Sequence, residues 1–321
     1  MKLLSVLALT SALLSGGIAP AGAQDYPTHP VQVLVGFPPG GSADIVGRYV
    51  MQKMTEATGN QFVVENRTGA GGNIAFTATA AAKPDGYTLL FSTPGIAINP
   101  SLYKKVSFKI EDFTPIALIG EAPLVLLANA KLPIKSVSDL VAAGKKAPDA
   151  IRFASSGNGS SSHLAMDVLR SMTGMEYLHI PYRGGGPALV DLISGQVDVT
   201  MLPISESMPY IRDGRVIALG QTGTTRSPIA KDIPTIEEEG VKGYSSTTWY
   251  MVLGPANLPP QLVTYIQTQL SRVLKMPALQ EKLQAAGVNI INGDAKQAQA
   301  FLQSEYKKWQ ALIKASGTII E

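Results

Sequence analysis

The sequence predicts an α/β fold in two halves, each built on a doubly wound sheet. Three observations carry this. Short apolar, β-branched runs recur along the chain, stretches with helical apolar spacing separate them, and several runs are apolar without alternation, as strands covered on both faces are.

Residues 31–36 form the first such run, which stops at Phe37-Pro38-Pro39-Gly40-Gly41. Ile45, Val46, Tyr49, Val50 and Met54 then repeat at helical spacing up to Gly59, giving strand, glycine loop, helix. Residues 61–65 read as a second strand, 72–82 as a helix and 87–92 as a third strand. Strands at 113–120 and 124–129 follow, and Ser136 with Asp139 opens a helix as a capping pair. A strand at 151–154 ends in Ser155-Ser156-Gly157-Asn158-Gly159-Ser160, after which Leu164, Ala165, Val168, Leu169 and Met172 make a helical stripe. The alternation continues with strands at 177–180, 197–201 and 216–220 and a helix at 187–194. The last part is more helical. Pro259-Pro260 precede Val263, Ile266, Leu270 and Val273, and Asp294 is placed to cap a final helix with Leu302, Tyr306, Trp309 and Ile313 inward.

The N-terminus reads as an export signal over residues 1–23. Lys2 is followed by an apolar run at 3–14 and by Ala21-Gly22-Ala23, a small-x-small cleavage site that leaves Gln24 first. The run is too short for a permanent membrane span. The chain has no cysteine, which excludes disulfides, thiolate catalysis and cysteine-held zinc, so an exported chain must rest on its core. With 321 residues there is room for two domains, and 45% hydrophobic against 16% charged residues describes a globular chain. A net charge of +3 without a dense basic run fits small anions and not nucleic acid. Two halves without a linker imply that the chain crosses between them more than once. The first lobe is expected at 24–124 plus 240–321 and the second at 125–239.

Two loops share one design, in which a strand ends in Gly and Ser and a helix starts at once. Gly40-Gly41-Ser42 leads into Ala43-Asp44, and Gly157-Asn158-Gly159-Ser160-Ser161 into Ser162-His163. The first N–H groups of a helix lack intrahelical partners and its dipole adds positive charge, so both loops suit an anion. Glycine allows close approach and serine adds donors. Gly69-Ala70-Gly71-Gly72-Asn73 is a third glycine loop, with a structural role equally in view. None of the three is a phosphate loop or a dinucleotide fingerprint.

The stretches Tyr26-Pro27-x-x-Pro30, Phe37-Pro38-Pro39-Gly40-Gly41-x-x-Asp44, Val64-Glu65-Asn66-Arg67-x-Gly69-Ala70-Gly71-Gly72-Asn73 and Pro84-Asp85-Gly86-Tyr87-Thr88 resemble the Bug-type periplasmic receptors of tripartite tricarboxylate transporters. Asn99-Pro100-x-Leu102-Tyr103, His179-x-Pro181-Tyr182-x-Gly184 and Gly195-x-Val197-Asp198 fit as well, so the likeness covers the mature chain. The resemblance implies a two-lobed periplasmic-binding-protein type II fold and a ligand carboxylate held by backbone and water between the two loops. It implies Phe37, Gly40, Gly41, Ser42, Ala43 and Asp44 from the first loop, Ser155, Ser156, Gly157, Asn158, Gly159 and His163 from the second, and Ser92 and Thr93 at the end of the third strand. It also implies a membrane transporter as partner and a receptor that acts as a monomer. Where relatives often carry Asp or Asn, this chain has Leu202-Pro203, so the expected cleft has no carboxylate there for a ligand ammonium and suits a less polar ligand body, with Pro203 against it. Arg183, or a side chain at 247–249, is the candidate for a second ligand carboxylate. Phe37, Trp249 and Tyr250 are candidates for stacking on an aromatic ligand.

The rival reading is an exported hydrolase using Ser160 or Ser161 with His163. It lacks a Gly-x-Ser-x-Gly elbow, and neighbours on one helical turn rarely align as nucleophile and base. Three histidines without a His-Glu-x-x-His motif offer little to a catalytic zinc, and no cofactor is expected. A two-lobed transcriptional sensor would need a DNA-binding module and would have no export signal.

Overall fold

The computed structural model describes residues 26–147, 150–316 and 319; the expected signal segment 1–23 and Gln24 lie outside them. In chain order the elements are β1 (Val31–Val35), α1 (Ser42–Thr58), β2 (Phe62–Asn66), α2 (Asn73–Ala80), β3 (Thr88–Ser92), α3 (Gly95–Leu102) and β4 (Phe113–Asn129). Then come α4 (Val137–Lys146), β5 (Arg152–Ser155), α5 (Ser161–Thr173), β6 (Leu178–Pro181), α6 (Gly185–Ser194), β7 (Val199–Pro203), α7 (Ile204–Arg212) and β8 (Val216–Gln221). The chain closes with β9 (Thr247–Pro255), α8 (Pro260–Leu274), α9 (Pro277–Ala285), β10 (Asn289–Gly293) and α10 (Ala295–Ser316).

One curled mixed sheet runs β2-β1-β3-β9-β4-β7-β5-β6, with β8 and β10 also paired to β4. β1 pairs in parallel with β2 and β3 at one end, and β5 pairs in parallel with β6 and β7 at the other. The expected strands at 113–120 and 124–129 are one strand, β4. It keeps its extended course through Glu121-Ala122-Pro123 because Ala122 and Pro123 lie opposite Thr248 and Thr247 of β9. Up to Pro123 its partners are β9 and β10; from Leu124 onward they are β7 and β8. Gly120 is required at the crossing, since a Cβ there would stand 2.4 Å from the Asn289 carbonyl oxygen.

The caps behave as the sequence predicts. Ser136 Oγ accepts from Asp139 N–H at 3.1 Å, and Asp294 and Gln297 exchange bonds of 2.8 and 2.9 Å at the start of α10. α10 is held to the sheet by Glu305, whose Oε2 accepts the indole N–H of Trp249 on β9 at 3.0 Å and of Trp309 at 3.1 Å. The segment after β8 is bound to the second half by Tyr244, which donates to the Ala165 carbonyl of α5 at 2.9 Å. Both glycine loops follow the C-terminal ends of parallel strands, β1 and β5, the edge at which open α/β sheets take ligands. No helix among the described residues is long and apolar enough to cross a membrane.

Candidate functional site

The loop after β1 is built around Asp44, which is buried. Its Oδ2 accepts the Gly40 N–H at 3.0 Å, and its Oδ1 accepts Arg48 Nε at 2.9 Å and Asn66 Nδ2 at 2.8 Å. Asn66 Nδ2 also donates to the Phe37 carbonyl at 2.9 Å, and Arg48 Nη2 donates to Asn66 Oδ1 at 2.8 Å, closing a ring. Burial pushes the Asp44 carboxyl up, but Arg48, the Gly40 N–H and Asn66 together hold it below the usual carboxylate range. Gly40 takes φ +81°, a conformation glycine adopts without strain. The residue before α1 is Gly41, which has no side chain, so the first N–H groups of the helix, those of Ser42 and Ala43, receive no side-chain cap. The result is a rigid, uncapped helix start suited to an oxyanion.

The loop after β5 is held from behind by two stacked imidazoles. His163 and His179 lie 4.0 Å apart at 7°. Gly159 N–H donates to His163 Nδ1 at 3.2 Å, which leaves the proton on Nε2, 3.5 Å from Asp167 Oδ2. Ser155 Oγ accepts the Gly157 N–H at 3.1 Å and shares a 2.7 Å hydrogen bond with His179 Nε2. Burial lowers both imidazoles to about 4; the neighbouring Arg170 adds to this for His163, and His163 itself adds to it for His179. Ser160 Oγ caps His163 N–H at 3.3 Å. The amides of Gly157, Gly159 and Ser160 are therefore used within the loop, and Ser156 and Asn158 are left on its outer side, half-buried and exposed.

Tyr250 and Glu206 lie near the two loops. Ser42 hydrogen-bonds the buried Tyr250 phenol, and the charge of Glu206 acts on the same group, which burial raises to about 12. A Cβ on Gly185, at the start of α6, would stand 3.0 Å from Glu206 Oε2, 2.8 Å from Leu202 Cδ2 and 3.6 Å from Ser156 Oγ. Glu206 thus sits near Ser156 of the second loop, and its charge reaches Tyr250, the phenol beside Ser42 of the first. This corrects the expectation of a cleft with no carboxylate near Leu202-Pro203. The carboxylate is present, three residues on, in the first turn of α7. α6 is a further helix start with no side-chain cap, preceded by Gly184 at φ +111°.

The remaining predicted residues separate into two groups. Gly41, Ser42 and Pro203 are half-buried near this junction, Phe37 is half-buried at the mouth of the first loop, and Ala43 is buried in its first turn. Ser92 and Thr93 are buried where β3 ends, and Ser92 Oγ donates to the Thr93 carbonyl at 3.2 Å. Asp44, Ser155 and His163 stand behind the loops with their polar atoms engaged, in place of facing outward. Arg183 is exposed beside Gly184. Trp249 is core, bonded to Glu305, and Tyr250 stacks on Phe91 at 5.8 Å, so neither offers a free ring face. Thr247 Oγ1 donates to Glu121 Oε2 at 2.9 Å. The third glycine loop is packed against its neighbours. A Cβ on Gly36 would lie 2.7 Å from Gly72 Cα, and Asn99 Nδ2 donates to the Gly71 carbonyl at 3.0 Å and to Asn73 Oδ1 at 2.6 Å. Among the described residues, no group of three His, Asp or Glu side chains is placed to hold a metal ion.

Known proteins resemble this chain over most of its length. BugT of Bordetella pertussis is 33% identical over 319 residues, 98% of each chain. The structure of Rpa4515 of R. palustris with adipate superposes with a TM-score of 0.84 at 33% identity, covering 91% of this chain and 99% of that one. MatC of Rhodopseudomonas palustris with bound malate gives 0.81 at 30% identity, covering 90% of this chain and all of that one. The fold is accordingly the two-lobed periplasmic-binding-protein type. Residues 46–318 match the family described as the tripartite tricarboxylate transporter family receptor, and the chain belongs to that family, as a solute-binding receptor of the Bug type.

Proposed function

We propose that this receptor works in the periplasm, binds a small dicarboxylate between its two loops and delivers it as a single copy to a membrane transporter of the tripartite type. The lobes of this reading are 24–124 plus 240–321 and 125–239. One ligand carboxylate sits at the start of α1 against Gly41, Ser42 and Ala43, with Ser156 and Asn158 approaching from the other lobe. Phe37, Gly40, Ser92, Thr93 and Pro203 shape the space around it. The observation that carries the reading is the uncapped first turn of α1, fixed in place by the Asp44, Arg48 and Asn66 ring. A ligand that bridges both loops favours the closed arrangement of the lobes by its added contacts.

Adipate and malate in the two similar structures are dicarboxylates, which supports that class for this chain. Each bond to a charged oxygen contributes roughly 1.5 to 3 kcal/mol, so a few of them reach micromolar affinity after ordering costs. Binding without chemistry suits the site. Among the described residues the serine hydroxyl hydrogen-bonded to an imidazole is that of Ser155, which is fully buried and committed to His179 and Gly157. Isothermal titration with a series of dicarboxylates, monocarboxylates and amines tests the reading. A micromolar dissociation constant for at least one dicarboxylate is expected; no heat and no thermal shift from any carboxylate would overturn it. Model esters should release no chromophore in a way that depends on His163 or His179.

A further inference from the structure

Glu206 is an acidic side chain set beside the second loop and the start of α6. It stands in the first turn of α7, and its Oε2 is 3.0 Å from the Cβ position of Gly185, with Ser156 Oγ 3.6 Å from that same point. Its charge is felt by the phenol that Ser42 hydrogen-bonds. Among the described residues, no cation pairs with it and none donates a hydrogen bond to it. The other acids of the region are all engaged: Asp44 by Arg48, Glu121 by Thr247, Asp167 by Tyr177 and Arg170. A half-buried carboxyl without a partner is costly to the protein alone, and the cost is offset once a ligand group meets it.

We propose that Glu206 reads the far end of the ligand, as a carboxylic acid that donates its proton to the second carboxylate of a dicarboxylate. The inference rests on the dicarboxylate reading above. Two carboxyl groups in contact cannot both be ionised, so they share one proton, and the receptor takes that proton up when it binds. The surroundings favour the protonated form, since burial raises the Glu206 carboxyl above the usual range. Of the elements packed on α7, β7 and β8 carry no charged side chain, and the one acid of β4, Glu121, is bonded to Thr247. Tyr250 of β9 is the titratable group whose phenol senses Glu206. Pro203, half-buried at the end of β7, then lines the aliphatic body between the ligand's two ends.

The test uses adipate and hexanoate, which have the same chain length and differ in the second carboxylate. Titration of the wild type with adipate in buffers of different ionisation enthalpy should show uptake of a proton. Glu206→Leu should weaken adipate about ten- to a hundredfold, one to two hydrogen bonds to a charged group, and leave hexanoate within about threefold. Glu206→Gln, which keeps the shape and a donor, should weaken adipate by less than about tenfold and abolish the proton uptake. If wild type binds adipate with no proton uptake, or Glu206→Leu binds adipate as tightly as wild type, Glu206 does not read a carboxylate. Preference for an amine-bearing acid that is lost in Glu206→Gln would overturn the proposal in favour of an ammonium. If the wild type binds neither adipate nor any other dicarboxylate, the functional reading itself has failed, which the Glu206 variants alone do not decide.

Discussion

His163 and His179 stack face to face with centroids 4.0 Å apart, and each braces one end of the same loop, His163 through the Gly159 N–H and His179 through the Ser155 hydroxyl. The arrangement needs both rings neutral. A proton on Nδ1 of His163 removes the acceptor for Gly159, and two charged rings at this distance repel.

A pH dependence of stability follows. Burial depresses both folded-state values to about 4, below the unfolded value of 6.5, so the unfolded chain binds protons first as the pH falls. The pair leaves stability untouched above about pH 6.5 and removes it between there and about pH 4, at up to about 1.4 kcal/mol per pH unit for each ring. Melting temperatures recorded from pH 7.5 to 4 should fall more steeply for wild type than for His179→Gln. Parallel curves would show that the pair is not titrating with unfolding.

Asp44 is predicted to act on the loop and through it on the ligand. Asp44→Ala leaves the Gly40 N–H, Arg48 and Asn66 without their acceptor, which should cost about 2 to 4 kcal/mol. Chemical denaturation measures that cost, and calorimetry should show ligand affinity falling at least tenfold. Unchanged affinity in a folded Asp44→Ala would separate the loop's rigidity from binding.

The glycines of the two loops are predicted to differ. Gly159 takes φ +73°, and a Cβ there would stand 2.9 Å from Leu102 Cδ2, so Gly159→Val should cost about 1 to 3 kcal/mol in stability as well as binding. Gly41 has an ordinary φ of −74° and 3.4 Å of clearance to the Pro38 carbonyl, so Gly41→Val should leave stability almost unaltered. The sequence alone treats the two alike; differential scanning calorimetry of both variants distinguishes them.

Most of the fold was legible because strands and helices of this chain keep their own periodicities, and because Ser136, Asp294 and Gly59 mark ends with ordinary capping chemistry. Helices α3 and α7 were not, since Pro100 and Pro209 sit inside them and propensity argues against both. The loss of α7 hid Glu206, whose position depends on the approach of Gly185 and on Tyr250 from a distant strand. The two glycine loops could be read from Gly and Ser before a helix. Which of their polar atoms face outward could not, because Asp44, Ser155 and His163 look like ligand groups in sequence and are satisfied only by residues such as Asn66 and His179 that are remote along the chain.

The central claim is that a ligand carboxylate rests on the bare start of α1. Titration of Gly41→Val beside wild type with the tightest-binding dicarboxylate tests it directly, since the added side chain would stand where the oxyanion must approach while the fold stays intact. Affinity lost by a hundredfold or more at an unchanged melting temperature is the predicted result. Wild-type affinity in a folded Gly41→Val would contradict the account and place the carboxylate elsewhere in the cleft.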